Sequence, residues 1–216
     1  MTGPDHLSAT RTFYDALAVD YADRFHHELS AKPLDRSMLS AFAELVLAAG
    51  GGRVADVGCG TGSVTAHLHE LGLSAYGIDL SPRMVELARE FSPDLRFEEG
   101  TMTAVGQADG SLAGIVAWHS IIHTTDDQLP EVFAEFERLL VPGGHLLLSF
   151  QIGDEPVYLA RPLGHPVSLD FHRRQPGDVA ALLAEAGLPV QARLSREPDD
   201  RGMETTPQAF LLARKP

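Results

Sequence analysis

The chain of 216 residues has a single cysteine and a shortage of positive charge. With Cys59 alone, neither an intrachain disulfide nor a CxxC metal site can form. Seventeen lysines and arginines stand against 30 aspartates and glutamates, giving a formal net charge of −13. Because neutralised phosphates supply much of the affinity for nucleic acids, this balance argues against a DNA or RNA partner. Arg161, Arg173 and Arg174 are too sparse to change that expectation.

Long apolar runs are also missing. No stretch approaches the ~20 apolar residues of a membrane span, and the N-terminus lacks a basic-then-apolar signal. We therefore expect a cytoplasmic protein with no membrane partner. A chain of this length with 44% hydrophobic residues can bury one core, so we expect a single domain over residues 1–216 that is a monomer or a homodimer.

The most informative segment is Val-Ala-Asp-Val-Gly-Cys-Gly-Thr-Gly at residues 54–62. Residues 54–57 suit a buried parallel strand, and the glycines let the backbone turn sharply and approach a ligand. A second strand, 74–78, is followed by Asp79, whose carboxylate can accept hydrogen bonds from ribose hydroxyls. The pattern predicts a nucleoside-containing ligand across the carboxyl ends of these two strands.

The glycine spacing narrows the choice of nucleoside. A dinucleotide fingerprint has the form G-x-G-x-x-G, but this chain has Gly58, Gly60 and Gly62, with Ser63 where that fingerprint requires glycine. Asp56 would repel a pyrophosphate, yet it can accept a hydrogen bond from an ammonium group or a water. The ligand implied carries a ribose and a cationic amino-acid tail, and an NAD-dependent oxidoreductase is disfavoured.

At these residues the chain resembles the class I S-adenosylmethionine-dependent methyltransferases. Their first motif is D/E-x-G-x-G-x-G, with an acidic residue ending the next strand. The resemblance implies S-adenosylmethionine as cofactor, S-adenosylhomocysteine as product, and methyl transfer to an N or O atom of a small-molecule acceptor. The alternatives are a catalytically silent S-adenosylmethionine-binding module, an NAD-dependent oxidoreductase, and a glycine-rich turn that serves packing only.

The alternation of predicted strands and helices indicates an α/β fold. We expect a doubly wound, Rossmann-like, seven-stranded and mostly parallel sheet with an antiparallel C-terminal strand and helices on both faces. Residues 1–8 are expected to be a frayed tail, and strand five is expected at 145–150 after a Pro-Gly-Gly turn. The expected divisions are N-terminal cap helices (10–50), a cofactor-binding core (51–150), an irregular substrate-lid insert (151–175), and the last helix with a strand hairpin (176–216).

Strand ends and the resemblance together imply the residues around the cofactor. Thr101 and Met102 follow strand three, where the family places residues beside the adenine, although Met102 could equally fill the core. Met84 could flank the adenine or ribose or pack in the core. The complete cofactor-binding prediction comprises Tyr21, Asp56, Gly58, Cys59, Gly60, Gly62, Asp79, Leu80, Met84, Thr101, Met102, Trp118 and His119.

Two residues are the catalytic candidates. His123 lies just past strand four, in a loop that should face the acceptor, where it is either a proton acceptor or orienting group or a structural histidine. Tyr14 and Tyr21 are two helical turns apart and share one side of a helix. The resemblance implies that this helix closes over the cofactor with tyrosines near the sulfonium; core packing is the alternative. Asp126 and Asp127 lack a third ligand, so no metal is expected.

Overall fold

The computed structural model of the protein describes residues 4–199 and 204–216. Within that part of the chain, no helix combines the length and apolarity needed to cross a membrane. The helices are α1 (Pro4–Phe25), α2 (Pro33–Ala48), α3 (Ser63–Glu70), α4 (Pro82–Phe91), α5 (Leu129–Leu139) and α6 (Pro176–Glu185). The strands are β1 (Arg53–Val57), β2 (Ser74–Asp79), β3 (Phe97–Glu99), β4 (Leu112–Trp118), β5 (Leu140–Gln151), β6 (Val157–Ala160), β7 (Ser168–Phe171), β8 (Val190–Arg196) and β9 (Gln208–Arg214).

Seven strands form one sheet in the order β3-β2-β1-β4-β5-β9-β8. β1 pairs in parallel with β2 and β4, and the parallel pairing extends to β3 on one side and to β5 on the other. β9 is antiparallel to both β5 and β8, so the last two strands form the predicted hairpin. The predicted fold class, a doubly wound and mostly parallel sheet, is confirmed.

Helices cover both faces of this sheet because successive strand residues point to opposite sides. On one face, Phe133 and Phe136 of α5 and Leu183 of α6 pack against Ile115 and other strand residues. The second face carries a separate cluster, in which α2 and α3 pack against β1 and β4; it includes Leu39, Phe42, Val46, Val54, Leu68, Val116 and Leu147. The core therefore has two layers, with the sheet between them.

The strand order creates the crevice in which a ligand can lie. From β1 the chain continues to β2 on one side, whereas β4 lies on the other, so the connections diverge at the carboxyl end of β1. Beside it, α4 begins at Pro82, and the Ser81 hydroxyl accepts a hydrogen bond from the Met84 amide at 3.1 Å. This helix start fixes the chain that leaves β2 immediately after Asp79.

The N-terminal segment differs from the sequence prediction. Of residues 1–8, expected to be frayed, residues 4–8 belong to α1, and residues 1–3 lie outside the described residues. The His6 side chain is buried and its Nε2 donates a hydrogen bond to the main-chain carbonyl of His123. A partner 117 positions away leaves no local signal in the sequence, which explains the error.

The insert at 151–175 is more regular than expected. It contains the antiparallel hairpin of β6 and β7, connected through a 3₁₀ turn at Pro162–Gly164. Leu169 of β7 packs against Phe13 and Leu17 of α1. The hairpin is therefore attached to α1 through buried apolar side chains.

β5 is longer than the sequence predicted. It begins at Leu140, so the expected Pro-Gly-Gly turn is an irregular stretch within the strand. Leu140 pairs with Leu112, whereas the next aligned pair is His145 with Gly114, so the extra residues bulge out of the ladder. Proline and glycine are tolerated there because the ladder is interrupted at that point.

Candidate functional site

A cavity of about 490 Å³ lies at the carboxyl ends of β1, β2 and β4, beneath α1. Its size falls within the usual range for small-molecule sites. The structure places Gly62 outside the lining and the other predicted site residues within it: Tyr14, Tyr21, Asp56, Gly58, Cys59, Gly60, Asp79, Leu80, Met84, Thr101, Met102, Trp118, His119 and His123.

The glycines after β1 have different surroundings. At Gly58 a Cβ atom would overlap the Ser120 side chain, and at Gly62 it would come within 2.8 Å of the Phe97 ring. Gly60, with φ of +54°, has its nearest neighbour 4.0 Å from such a Cβ, at a ring carbon of Tyr21. Gly58 and Gly62 thus allow close packing of the protein, whereas Gly60 leaves room beside the cavity.

Asp56 is a fully buried carboxylate in the cavity wall. The Thr65 hydroxyl donates to its Oδ2 at 2.7 Å, and its Oδ1 has no hydrogen-bond partner among the described residues. Burial raises the pKa of Asp56 to about 7, and the Thr65 hydrogen bond opposes that rise. An unsatisfied buried acceptor is costly, so the site suits a ligand that brings a cationic donor. The ammonium of an amino-acid tail has that chemistry.

Asp79 ends β2 and fastens the glycine loop. Its Oδ2 accepts a hydrogen bond from the Gly60 amide at 2.7 Å, and its Oδ1 accepts one from the Ser81 amide at 2.9 Å. Burial raises the pKa of the Asp79 carboxyl, while these amide donors lower it. A carboxylate offers about four lone-pair directions, so acceptor capacity remains for ribose hydroxyls.

Tyr14 and His123, 109 residues apart in sequence, meet at the roof of the cavity. The Tyr14 hydroxyl lies 2.5 Å from His123 Nε2, and the two rings contact edge to face at 5.1 Å. Burial lowers the pKa of His123 to about 3 and raises the pKa of Tyr14 well above its ordinary value. Both side chains are therefore neutral at pH 7, joined by a hydrogen bond between uncharged groups.

His119, directly after β4, has an unusual backbone conformation. Its φ of +51° is rare for a residue with a side chain, and such positions cluster at functional sites. The Ser149 hydroxyl accepts a hydrogen bond from the His119 amide at 2.9 Å, which holds this conformation. Burial lowers the pKa of His119 to about 4, and its ring contacts Trp118 edge to face. An uncharged imidazole thus faces the cavity.

Charged residues that the sequence did not single out line the cavity, among them Glu28, Lys32 and Asp35. Lys32 forms ion pairs with Glu28 and Glu204, each at 2.6 Å, and Arg196 binds Glu204 and Asp35. Arg196 lies on β8, and Glu204 lies between β8 and β9. The sequence gives no sign of these last contacts because the partners are 172 residues from Lys32 and 161 residues from Asp35 along the chain.

The burial of Arg174 differs from what the sequence indicated. This residue is one of the three sparse basic residues of the insert, yet its side chain is buried against the turn that bears His123. Arg161 and Arg173 are not part of that contact in the described residues. An arginine in a polar insert gives no sign of burial until its acceptors are known.

Comparison with known proteins finds similarity to methyltransferases. A methyltransferase domain family matches residues 54–144. An uncharacterized methyltransferase of Mycobacterium bovis is 33% identical over 128 residues, or 58% of this chain and 50% of the relative. A ubiquinone biosynthesis O-methyltransferase of Xanthomonas axonopodis is 31% identical over 158 residues, or 65% of this chain and 64% of the relative. The chain thus spans about half the length of the mycobacterial relative.

One solved structure shows the same fold along the whole chain. The 1,6-didemethyltoxoflavin-N1-methyltransferase of Burkholderia thailandensis, crystallised with S-adenosylhomocysteine, superposes with a TM-score of 0.73 at 20% identity. The match covers 100% of this chain and 91% of that one. Sheet order, acidic glycine loop and strand-end carboxylate define a nucleoside-binding domain of the doubly wound class. The methyltransferase domain match at residues 54–144 agrees with this description and with the resemblance of the sequence motif to class I S-adenosylmethionine-dependent methyltransferases.

Proposed function

We propose that this protein transfers the methyl group of S-adenosylmethionine to a nitrogen or oxygen atom of a small-molecule acceptor. The observation that carries the proposal is one continuous cavity that joins Asp56 and Asp79 to Tyr14 and His123. The carboxylates suit the charged and hydroxyl-bearing parts of the cofactor. The hydrogen-bonded pair supplies polar groups near which an acceptor can be held, and this favours an enzyme over a silent binding module.

The cofactor supplies the reactive methyl, so the protein's task is to bind, align and exclude water. Asp56 would accept a hydrogen bond from the ammonium of the cofactor, and Asp79 would accept hydrogen bonds from the ribose hydroxyls. The space beside Gly60 admits the amino-acid tail. The remaining predicted cofactor residues would form the walls, with Met102 and Thr101 toward the adenine.

His123 is suited to orienting an acceptor more than to removing a tightly held proton. A neutral imidazole can accept a proton, but a histidine whose pKa is held near 3 is a weak base at neutral pH. An acceptor that arrives ionised would need no base, and one that loses its proton as the methyl is transferred would need only such a weak base. Tyr14, hydrogen-bonded to the imidazole, would then face the transferred methyl and the acceptor.

The relatives support a small acceptor of either atom type. The Xanthomonas relative is named as an O-methyltransferase, and the Burkholderia structure as an N1-methyltransferase with bound 1,6-didemethyltoxoflavin. The net charge of −13 disfavours a nucleic-acid substrate. We further propose a cytoplasmic protein without a membrane partner, acting as a monomer or homodimer.

Two measurements test the proposal in sequence. Calorimetry should show binding of S-adenosylmethionine and S-adenosylhomocysteine but not NAD. The protein is then incubated with S-adenosylmethionine and single acceptors of four classes: a catechol, a hydroxyquinone, a heteroaromatic N–H compound and a carboxylic acid. Release of S-adenosylhomocysteine with at least one class, above the level without an acceptor, supports an enzyme. The rate should be lowered in His123→Ala and unchanged in the exposed-histidine control His69→Ala. Binding without turnover across the whole panel would favour the silent module.

A further inference from the structure

The turn that carries His123 has its main-chain carbonyls held by distant parts of the chain. Arg174, in the linker between β7 and α6, is 7% exposed. Its Nη1 donates to the Ile121 carbonyl at 3.1 Å, and its Nη2 donates to the Thr124 carbonyl. Its Nε donates to Asp126 Oδ1 at 2.8 Å. One guanidinium therefore binds the carbonyl of Ile121, the first residue of the turn 121–124, and that of Thr124, the last.

The two middle carbonyls are held as well. The His172 amide, two residues before Arg174, donates to the Ile122 carbonyl at 2.8 Å. From the opposite side, His6 of α1 donates to the His123 carbonyl. All four carbonyls of residues 121–124 thus accept hydrogen bonds from the linker 172–175 or from α1. Tyr14, also on α1, binds the imidazole itself.

The carbonyl contacts outweigh the ion pair in this arrangement. The Asp126 side chain is 80% exposed, so its pairing with Arg174 is screened by water and contributes little. The bonds to the buried carbonyls are charge-assisted and lie where water does not compete. A planar guanidinium can reach two carbonyls and a carboxylate together, whereas a lysine ammonium on a single stem cannot match that fork.

We propose that Arg174 and His6 are positioning residues that fix the turn 121–124. The Tyr14–His123 hydrogen bond then forms only when the linker 172–175 and α1 are both docked on this turn. The catalytic consequence rests on the proposed function; the positional claim does not. Tyr14 and His6 both lie on α1, so docking of this one helix brings the donor to the His123 carbonyl and the phenol that binds the His123 ring. Docking of α1 and formation of the Tyr14–His123 pair are then a single event.

The decisive variant is Arg174→Lys, because it keeps the positive charge near His123. His6, His172 and Arg174 itself lower the pKa of His123, and the backbone of Asp170 raises it, so a neutral substitution would change the electrostatics as well as the geometry. The matched control is Arg173→Lys: the neighbouring arginine donates to Thr205 at 3.0 Å and not to the turn. Asp126→Asn is a second control that removes only the exposed ion pair.

The primary readout is the ¹⁵N resonance of His123 Nε2 in protein labelled at histidine, recorded above pH 7. His123→Gln assigns the signal, and Tyr14→Phe gives its position without the phenol. We expect Arg174→Lys to move the signal toward the Tyr14→Phe position, and both controls to leave it in place. An Arg174→Lys protein whose His123 signal matches the wild type would overturn the proposal. If that variant does not fold, His6→Ala decides by the same criterion.

A second readout separates this proposal from the proposed function. S-adenosylhomocysteine affinity should change far less than turnover in Arg174→Lys. Within the described residues, Asp56 and Asp79 form no hydrogen bond with the turn, and only Met102, through the Thr124 hydroxyl at 3.1 Å, joins it to the proposed cofactor residues. With an active acceptor, turnover should fall about 10²-fold, the scale of a ~1 Å misplacement. If no acceptor is ever methylated, the proposed function fails while the resonance shift still tests the positional claim.

Discussion

The two walls of the cavity are assembled in different ways. On the wall that we assign to the cofactor, formed by the glycine loop, Asp56 and Asp79, the contacts join residues close in sequence: Asp56 and Thr65 are nine residues apart, and Gly60 and Asp79 are 19 apart. On the wall that we assign to the acceptor, formed by Tyr14 and the turn with His123, the contacts join distant residues: 109 residues separate Tyr14 from His123, and 117 separate His6 from His123. The first wall is built by β1, the glycine loop, α3 and the neighbouring strand β2. The second forms only when α1, the turn 121–124 and the linker 172–175 come together.

This contrast has consequences for dynamics and for mutation. Segments held by few, long-range contacts open locally at lower free energy than a central sheet does. We therefore expect changes on the cofactor wall to alter affinity in a protein that stays folded, and changes on the acceptor wall to alter turnover and closure while affinity persists. Each of the following substitutions tests one side of that division.

The largest effect is expected on the cofactor wall at Gly60. Gly60→Val would place a branched side chain in the space beside Tyr21 and would strain a backbone with φ of +54°, so binding of S-adenosylhomocysteine should be lost. Gly106→Val is the matched control, because Gly106 also has positive φ but no atom within 4 Å of the position that a Cβ would take. Calorimetry on both folded variants checks this. Normal binding by Gly60→Val would show that the loop serves packing alone.

On the acceptor wall, His123→Ala should lower turnover by ~10²–10⁴ if the imidazole takes part in proton transfer. An orienting role for a neutral acceptor would give a much smaller loss. In both cases S-adenosylhomocysteine affinity should remain at the wild-type value, because no cofactor-wall contact depends on the His123 ring. Steady-state rates with an active acceptor, paired with calorimetry, give the two numbers. An equal fall in affinity and turnover would contradict the separation of the walls.

Asp79→Asn tests the ribose contact. The amide keeps one acceptor oxygen for the loop amides but loses the charge, so affinity should fall by roughly 1.5–3 kcal/mol, the range for hydrogen bonds to charged groups. Titrations with S-adenosylhomocysteine and with adenine alone distinguish the causes. Adenine lacks the ribose, so its binding should change far less; an equal loss for both ligands would indicate a collapsed loop instead.

Asp56 makes cofactor binding depend on pH. Its pKa, raised by burial to about 7, means that the carboxylate is progressively protonated below pH 7, and S-adenosylhomocysteine affinity should fall by about tenfold per unit at most. The sign for stability is opposite. The unfolded carboxyl ionises near its ordinary 3.8, so the ligand-free protein should lose stability as pH rises from about 4 to about 7. Calorimetry and unfolding across pH 5–8 measure both.

Asp56→Asn is the control for that pH dependence. The amide cannot ionise, so the slope of affinity with pH should flatten, and the ligand-free protein should be more stable than wild type near pH 8. Persistence of the wild-type slope in Asp56→Asn would assign the titration to another group, and the raised pKa of Asp79 makes that residue the next to test.

The positions of the glycine loop and of Asp79 at one wall of the cavity were predictable from sequence because the information is local. Glycines at fixed positions after an apolar run, followed by an acidic residue at the next strand end, specify backbone geometry with little help from elsewhere. The doubly wound, mostly parallel character of the sheet followed from the alternation of strands and helices. Even there, the sequence did not show that a Cβ has room only at Gly60, whereas at Gly58 and Gly62 it would collide with Ser120 and Phe97.

The acceptor wall was predictable only in part. Topology placed His123 at the crevice and periodicity placed Tyr14 on one side of a helix, and the structure brings the two within hydrogen-bond distance. The helical start of α1, the β6–β7 hairpin and the burial of Arg174 were missed. Each depends on a partner far along the chain, and propensity in a Pro- and Gly-rich insert carries no information about such partners.

The smallest effect is expected from the exposed hydrogen bond between the insert and α1. His165 Nε2 and Asp20 Oδ2 lie 2.6 Å apart, but their side chains are 32% and 51% exposed, and even a charged pair with such exposure contributes only ~0.2–1 kcal/mol. Leu169, 5% exposed, packs against Phe13 and Leu17, and removal of a buried leucine costs ~2–5 kcal/mol. Denaturant unfolding should therefore find His165→Gln near wild type and Leu169→Ala clearly destabilised. Equal losses would mean that the exposed His165–Asp20 contact holds the insert to α1 as strongly as the buried leucine does.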